Sequence, residues 1–239
     1  MLKKHIPNTI TSLNLISGSI ATYFAFQSNY EMALLFIVIG AVFDFFDGMV
    51  ARLLHVSSPI GKELDSLADD ITFGFAPSAI VFSFLQEIGA EADSSLILHS
   101  VLPFVVFVMA AFSALRLAKF NLDERQALGF IGLPTPANAL FWGSLIVGAG
   151  DWLKTAPLIG PNLSLVILAG VFISCWLLVA EIPMFALKFK TWGWKGNEIK
   201  YVFLITCVPL LMSLGISGLA VIIAWYVVLS VVNNSQQKK

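Results

Sequence analysis

Long stretches of this chain show no alternation of apolar and polar positions; they are apolar throughout. A helix crosses a hydrocarbon core with about 20 such residues. Eight windows of that kind predict an all-α polytopic membrane protein, with helices over 8–27, 31–54, 64–86, 97–119, 134–150, 163–182, 200–214 and 216–232. The seventh is short and the first is rich in Ser, Thr and Asn, so seven spans is the nearest alternative. Strands are not expected, because the runs do not alternate and are spaced too widely for a barrel. No repeat, low-complexity tract or linker divides the chain. Residues 1–239 therefore read as a single integral membrane domain.

These spans sort the basic residues by side. Lys3, Lys4, Arg52, Lys62, Arg116, Lys119, Arg125, Lys188, Lys190, Lys195, Lys200, Lys238 and Lys239 fall with the N-terminus, and only Lys154 falls opposite. Thirteen against one accounts for all 14 Lys and Arg. The positive-inside rule then places both termini in the cytoplasm and favours an even span count. The Gln27–Glu31 connection and the loop 87–93, with Glu87, Glu91 and Asp93, fall outside. The first span follows two lysines, as a signal peptide would. Asn8, Thr9, Thr11, Ser12 and Asn14 interrupt it, and no convincing small-residue cleavage site follows, so it is expected to be retained.

Composition agrees with a membrane location. Of 239 residues, 58% are hydrophobic and 12% charged, against about 25% charged in soluble domains. A net charge of −1 supplies no field for gathering nucleic acid. Cys175 and Cys207 both lie in apolar runs, which excludes a disulfide framework or a zinc ribbon.

Against that background five acids are out of place: Asp44, Asp47, Asp65, Asp69 and Asp70 lie in or beside apolar runs. An ionised carboxylate at membrane depth costs several kcal/mol unless it meets a partner or water. Asp44 and Asp47 are three apart and share a face near one end of the second span. Asp65 and Asp69 are four apart and share a face at the start of the third. The segment 53–64 turns back, so the two faces can oppose. Four converging carboxylates repel without cations between them, and oxygen-only ligands suit Mg²⁺, Mn²⁺ or Ca²⁺. A structural role, as salt-bridge mates of Arg52 or Lys62, is the bland alternative. Two cations are too few for four acids.

The whole string reads Asp44-x2-Asp47-Gly48-x2-Ala51-Arg52-x8-Gly61-x3-Asp65-x3-Asp69. It resembles the signature of the CDP-alcohol phosphotransferase family at every fixed position. The resemblance implies a membrane enzyme with a six-helix core, usually a dimer. Such an enzyme moves a substituted phosphate from a CDP-linked donor to an alcohol and releases CMP. It implies divalent metal, Mg²⁺ or Mn²⁺ and two ions, at Asp44, Asp47, Asp65 and Asp69. It also makes Asp69 the proton acceptor, which fits its place one turn beyond Asp65, and sets Ser58 against the donor's phosphates. Physical chemistry agrees. Gly48 and Ala51 are small enough for a nucleotide to approach the backbone, Arg52 is a bidentate phosphate donor, and the resemblance gives Gly61 the same close approach. Packing for the small residues and topological anchoring for Arg52 are the alternatives. Pro7-Asn8-x2-Thr11 resembles the family's Pro-Asn beside the nucleotide, although Asn8 could equally cap the first helix.

The acceptor is read from two further segments. Gly61-Lys62-Glu63-Leu64-Asp65-Ser66-Leu67-Ala68-Asp69 with Phe73-Gly74-Phe75-Ala76-Pro77 resembles the phosphatidylserine synthase branch. So does Leu115-Arg116-Leu117-Ala118-Lys119-Phe120-Asn121 with Phe130-x-Gly132-Leu133-Pro134-x-Pro136-Ala137. The chain departs from that branch at Lys119, usually Arg, and near Asp70 and Ile71, often Val. The likeness is good over about 5–140; beyond that only helical character and length match. It implies CDP-diacylglycerol and L-serine as substrates and a bacterial or archaeal cytoplasmic membrane as the location. Serine's carboxylate needs a cation, and Arg116 and Lys119 are placed for it. A glycerol phosphate acceptor would want cations too, so a phosphatidylglycerophosphate or phosphatidylinositol-type synthase stays open, as does a purely topological role for both residues. His5, His55 and His99 read as surface residues.

Two rivals use similar chemistry. An intramembrane prenyltransferase also binds a metal-diphosphate with Asp clusters but has no reason to carry Gly-x2-Ala-Arg between them. An ion transporter would set its carboxylates near the midplane, often between inverted repeats. Here the acids lie toward one face, and the loop 188–200, with Trp192 and Trp194, reads as interfacial.

Overall fold

Where water cannot satisfy the backbone, a chain must close its own hydrogen bonds, and helices are the local way to do so. The computed structural model describes residues 5–91, 101–123, 130–157, 159, 162–185, 187, 193–194 and 196–237. Lys3, Lys4, Asp93, His99, Arg125, Lys188, Lys190, Trp192, Lys195, Lys238 and Lys239, to which sides or roles were assigned above, lie outside these. The helices are α1 (His5–Phe26), α2 (Tyr30–Leu53), α3 (Pro59–Asp69), α4 (Ala76–Glu91), α5 (Val108–Leu122), α6 (Thr135–Thr155), α7 (Leu163–Val179), α8 (Glu198–Leu214) and α9 (Ser217–Gln237). A π-helical stretch, Asp70–Phe75, fuses α3 to α4, and a 3₁₀ stretch, Leu102–Phe107, leads into α5. Eight helical passes result among the described residues.

Four of these passes are long and apolar enough by themselves to cross a membrane: Tyr30–Leu53, Pro59–Gly89, Leu102–Leu122 and Ser217–Asn234. Leu163–Val179 is a shorter apolar helix. The chain is an all-α membrane protein. Its surface is inverted accordingly, with Tyr23, Phe45, Phe104, Leu165, Trp176 and Met212 exposed, as lipid-facing residues are.

Three expectations need correction. The third span does not begin near Asp65: Ser58 caps α3 and Pro59 opens it, so only 54–58 turns back. Pro at the first helical position is favoured because its missing N–H would be unpaired there anyway. Glu87 and Glu91 belong to α4, not to a loop. Strands are present, but only as a two-residue antiparallel pair, β1 (Phe130–Ile131) with β2 (Pro183–Met184). It joins connections outside the spans, where unpaired backbone needs partners.

Close packing sets where the site sits. Helix α1 packs on α2, α3 and α4; α6 packs on α2, α4 and α9; the π-helical stretch touches α1, α5 and α6. Small residues allow this. A Cβ on Gly18 would stand 2.7 Å from the Thr72 backbone, and one on Gly40 would stand 2.5 Å from Thr72 Cγ2. The wide turn has a cause downstream. Pro77 has no N–H to give to Phe73 and its ring would crowd that carbonyl, and Ser78 Oγ donates to the Gly74 carbonyl at 2.7 Å. Gly18→Ala should therefore cost about 1–3 kcal/mol by overpacking. A detergent melting curve would show it, and an unchanged Tm would mean that α1 and the π-turn can separate freely.

Candidate active site

Two turns of α2 and two of α3 build the acidic end of the bundle. Asp44 and Asp47 face Asp65 as their spacing requires, and the three offer carboxylate oxygens within 4.8 Å of one another. Asp47 is buried, while Asp44 and Asp65 are half-buried. Thr11 Oγ1, on α1, donates to Asp47 Oδ2 at 2.6 Å, fixing one oxygen of that carboxylate. Asp65 Oδ1 is buried with no hydrogen-bond partner. Oxygens bound to one hard cation at about 2.1–2.5 Å lie at most about 4.2–5 Å apart. The spacing, the all-oxygen donor set and the orphaned Asp65 oxygen fit a divalent metal ion, and this cluster could hold one.

Asp69 is not in that trio. One turn beyond Asp65, it accepts a hydrogen bond from Asn14 Nδ2 at 3.0 Å, yet stays close enough to feel the charges of Asp44 and Asp65. Asn14 is fully buried, and its backbone carbonyl accepts from Thr72 Oγ1 at 3.1 Å. Helix α1 thus grips both the Asp69 carboxylate and the π-turn that follows it. The sequence reading passed over Asn14. Its signal was present, since Thr11, Asn14, Gly18, Ala21 and Ala25 recur at helical spacing and all are buried.

Beside the trio lies a cavity of about 350 Å³ lined by Pro7, Asn8, Thr11, Asp47, Gly48, Ala51, Val56, Ser57, Ser58, Gly61, Lys62 and Asp65. The structure brings Asn8, Thr11, Gly48, Ala51, Ser58 and Gly61 together here, as the sequence suggested. Asn8 does not cap a helix, because α1 already runs from His5. Its Oδ1 instead stands 3.0 Å from where a Cβ on Gly61 would be. Ser58 does cap, accepting from the Gly61 N–H at 3.0 Å, which leaves its own proton free to donate into the cavity. Arg52 does not line the cavity; it is exposed, with Nη1 3.5 Å from the Cβ position of Gly48. Lys62 does line it, a residue read from the sequence as a topological charge or a salt-bridge mate of the aspartates. Its Nζ donates to the Asn121 carbonyl at 2.8 Å, and Asn121 Nδ2 donates to Ser66 Oγ at 2.7 Å, tying α3 to the end of α5.

Arg116 and Lys119 border a second cavity of about 410 Å³, with Leu122, Asp123, Ile131 and Glu181 among its walls. They differ in burial. Lys119 is exposed, while Arg116 is 6% exposed with Nε and Nη2 unpartnered and its guanidinium 5.2 Å from the Phe120 ring centroid. Asp69 is the acid whose charge reaches it. At the opposite end of the bundle Lys154 bonds Glu87 at 2.5 Å and Tyr30 OH donates to the same carboxylate at 2.9 Å. Of the loop 188–200, Trp194 is exposed and stacks on Tyr201 at 5.4 Å.

The family model described as CDP-alcohol phosphatidyltransferase matches residues 4–174. A Bacillus subtilis (strain 168) protein named CDP-diacylglycerol–serine O-phosphatidyltransferase is 39% identical over 136 residues, 55% of this chain and 70% of that protein. Proteins of the same name from Saccharomyces cerevisiae and Helicobacter pylori (strain 26695) are similar at 38% over 152 residues and 34% over 140. Those matches cover 57% and 56% of this chain, but only 51% and 54% of the relatives' own lengths. The match of the family model reaches from α1 into α7 and takes in every carboxylate of the cluster. This chain belongs to the CDP-alcohol phosphatidyltransferase family.

Proposed function

We propose that the protein is a phosphatidylserine synthase, a single membrane domain that transfers the phosphatidyl group of CDP-diacylglycerol to L-serine and releases CMP. The observation that carries this reading is the convergence of Asp44, Asp47 and Asp65 at a cavity lined by the small residues of the same motif. The names of the relatives point to serine as acceptor. Mg²⁺ or Mn²⁺, two ions in the full site, would be held by Asp44, Asp47, Asp65 and Asp69 and would neutralise the donor's diphosphate.

The chain's own groups do the rest. Gly48, Ala51 and Gly61 leave room for the nucleotide, and Asn8, Ser58 and Lys62 supply donors to its phosphates. Arg52, at the rim, meets phosphate from the surface side. The serine hydroxyl attacks the phosphorus that bears the diacylglycerol, its proton passes to Asp69, and the bond to the departing CMP breaks. Asn14 keeps Asp69 turned toward the acceptor. Arg116 and, more weakly, Lys119 take the serine carboxylate. The protein works as a homodimer in a cytoplasmic membrane, with both termini and the acidic end facing the cytoplasm, where CMP and serine are soluble. The bias of thirteen basic residues against Lys154 supports that orientation.

The test is an acceptor panel. Purified protein with CDP-diacylglycerol and Mn²⁺ should release CMP with L-serine and not with glycerol 3-phosphate or inositol; the reverse would move it to another branch. Arg116→Ala should raise KM for serine about 10- to 150-fold, the loss of one charge-assisted bond worth roughly 1.5–3 kcal/mol, with KM for CDP-diacylglycerol little changed. Unaltered serine kinetics would leave Arg116 without a substrate role.

A further inference from the structure

Among the described residues, the buried side-chain polar atoms without a partner belong to Asn14, Asp65, Asp70, Ser113, Arg116, Thr135 and Asn138. Buried polar groups are nearly always hydrogen-bonded, so each orphan calls for a ligand or water. Asn14 and Asp65 border the metal site. The other five form a second group that the motif does not explain.

They share one level of the bundle. A Cβ on Gly74 would stand 2.6 Å from Asp70 Oδ1 and 2.8 Å from Ser113 Cβ, so Asp70 and Ser113 meet across that glycine. Arg116 follows Ser113 by one turn of α5 and feels the charge of Asp69. Helices α4 and α6 run side by side, with the Cβ position of Gly150 3.1 Å from the Phe84 ring. Asn138 precedes Gly150 by as many residues as Thr72 precedes Phe84. Asn138, and Thr135 one turn before it, therefore stand about level with Asp70–Phe73, and α6 packs on that stretch. Ser113, Thr135 and Asn138 are fully buried.

The geometry points to this group as the acceptor pocket, shaped for an amino-acid zwitterion. Resting on the serine reading, it adds what recognises the ammonium group. Arg116 takes the carboxylate. The ammonium group, which only donates, meets the unpartnered oxygens Asp70 Oδ1, Thr135 Oγ1 and Asn138 Oδ1. Charge matches at both ends, cation to carboxylate and carboxylate to ammonium, and Asp69, whose charge reaches Arg116, is in place for the hydroxyl proton. Polyol or phosphate acceptors would leave Asp70 buried beside uncharged or like-charged groups, which is costly.

Near-isosteric changes test this without emptying the core: Asp70→Asn and Thr135→Val, with Asn138→Ala as a third. Initial rates are measured with serine and with 3-hydroxypropionate, which is serine without its ammonium group, as competitor. Asp70→Asn and at least one of the other two should raise KM for serine tenfold or more. KM for CDP-diacylglycerol should stay within twofold, which also shows that the donor site is folded. The preference for serine over 3-hydroxypropionate should shrink by a similar factor. Serine KM and that preference both within twofold of wild type in all three variants would overturn the pocket while leaving the serine reading intact. A wild-type enzyme that turns over no amino acid would instead remove the reading on which the pocket rests.

Discussion

Asp44→Asn, Asp47→Asn and Asp65→Asn should each abolish CMP release at any accessible metal concentration. Each substitution removes a full negative charge from three carboxylates whose oxygens lie within 4.8 Å, and amide oxygens are far weaker ligands for a hard cation. Asp47→Asn also replaces an acceptor-only group opposite the Thr11 hydroxyl. Excess EDTA should stop the wild-type enzyme, and Mg²⁺ or Mn²⁺ should restore it. Loss of metal binding in the variants, by calorimetry on the purified protein, would separate a ligand role from misfolding. Substantial turnover in one variant would remove that residue from the ligand set, and full activity in EDTA would remove the metal.

A second large effect is expected at Asp69. It lies outside the tight trio and is oriented by Asn14 at 3.0 Å, the arrangement of a group that moves a proton. Asp69→Asn should still bind CDP-diacylglycerol but lose about 10²-fold or more in kcat. Wild-type turnover in that variant would pass the proton to another group. The expected route is a single in-line displacement, so a donor chiral at phosphorus should be inverted. Retention, or exchange of labelled CMP into donor without serine, would show a covalent phosphatidyl-Asp instead.

Much of this was legible in the chain because a membrane makes errors expensive. A carboxylate in an apolar run is so costly that Asp44, Asp47, Asp65 and Asp69 announced themselves, and helical spacing told which faces they share. The eight helical passes followed from the length of the apolar runs. What escaped notice were features whose cost is hidden. Asn14 looks like one more polar interruption in a helix already rich in Ser and Thr; its helical spacing with Thr11, Gly18, Ala21 and Ala25 puts it on the buried face, but its role shows only in its bond to Asp69. The start of α3 was missed because Gly61, Lys62 and Glu63 are polar at a membrane edge, although Ser58-Pro59 is a helix-start signal. The π-turn at Asp70–Phe75 has no periodicity to betray it; its sign was Pro77, which forces the backbone before it to open. The 130–131 and 183–184 strand pair is too short to show alternation. Thr135 and Asn138 passed as the polar start of an apolar helix, since no local pattern says that their partners are missing.

The most direct test of the central claim is a matched measurement of both products from CDP-diacylglycerol and labelled serine, with purified protein and Mn²⁺ or Mg²⁺. CMP and labelled phosphatidylserine should appear in equal amounts, only with metal present, and neither should form in Asp65→Asn. CMP released without labelled lipid, or labelled lipid formed in EDTA, would contradict a metal-dependent transfer to serine at this site.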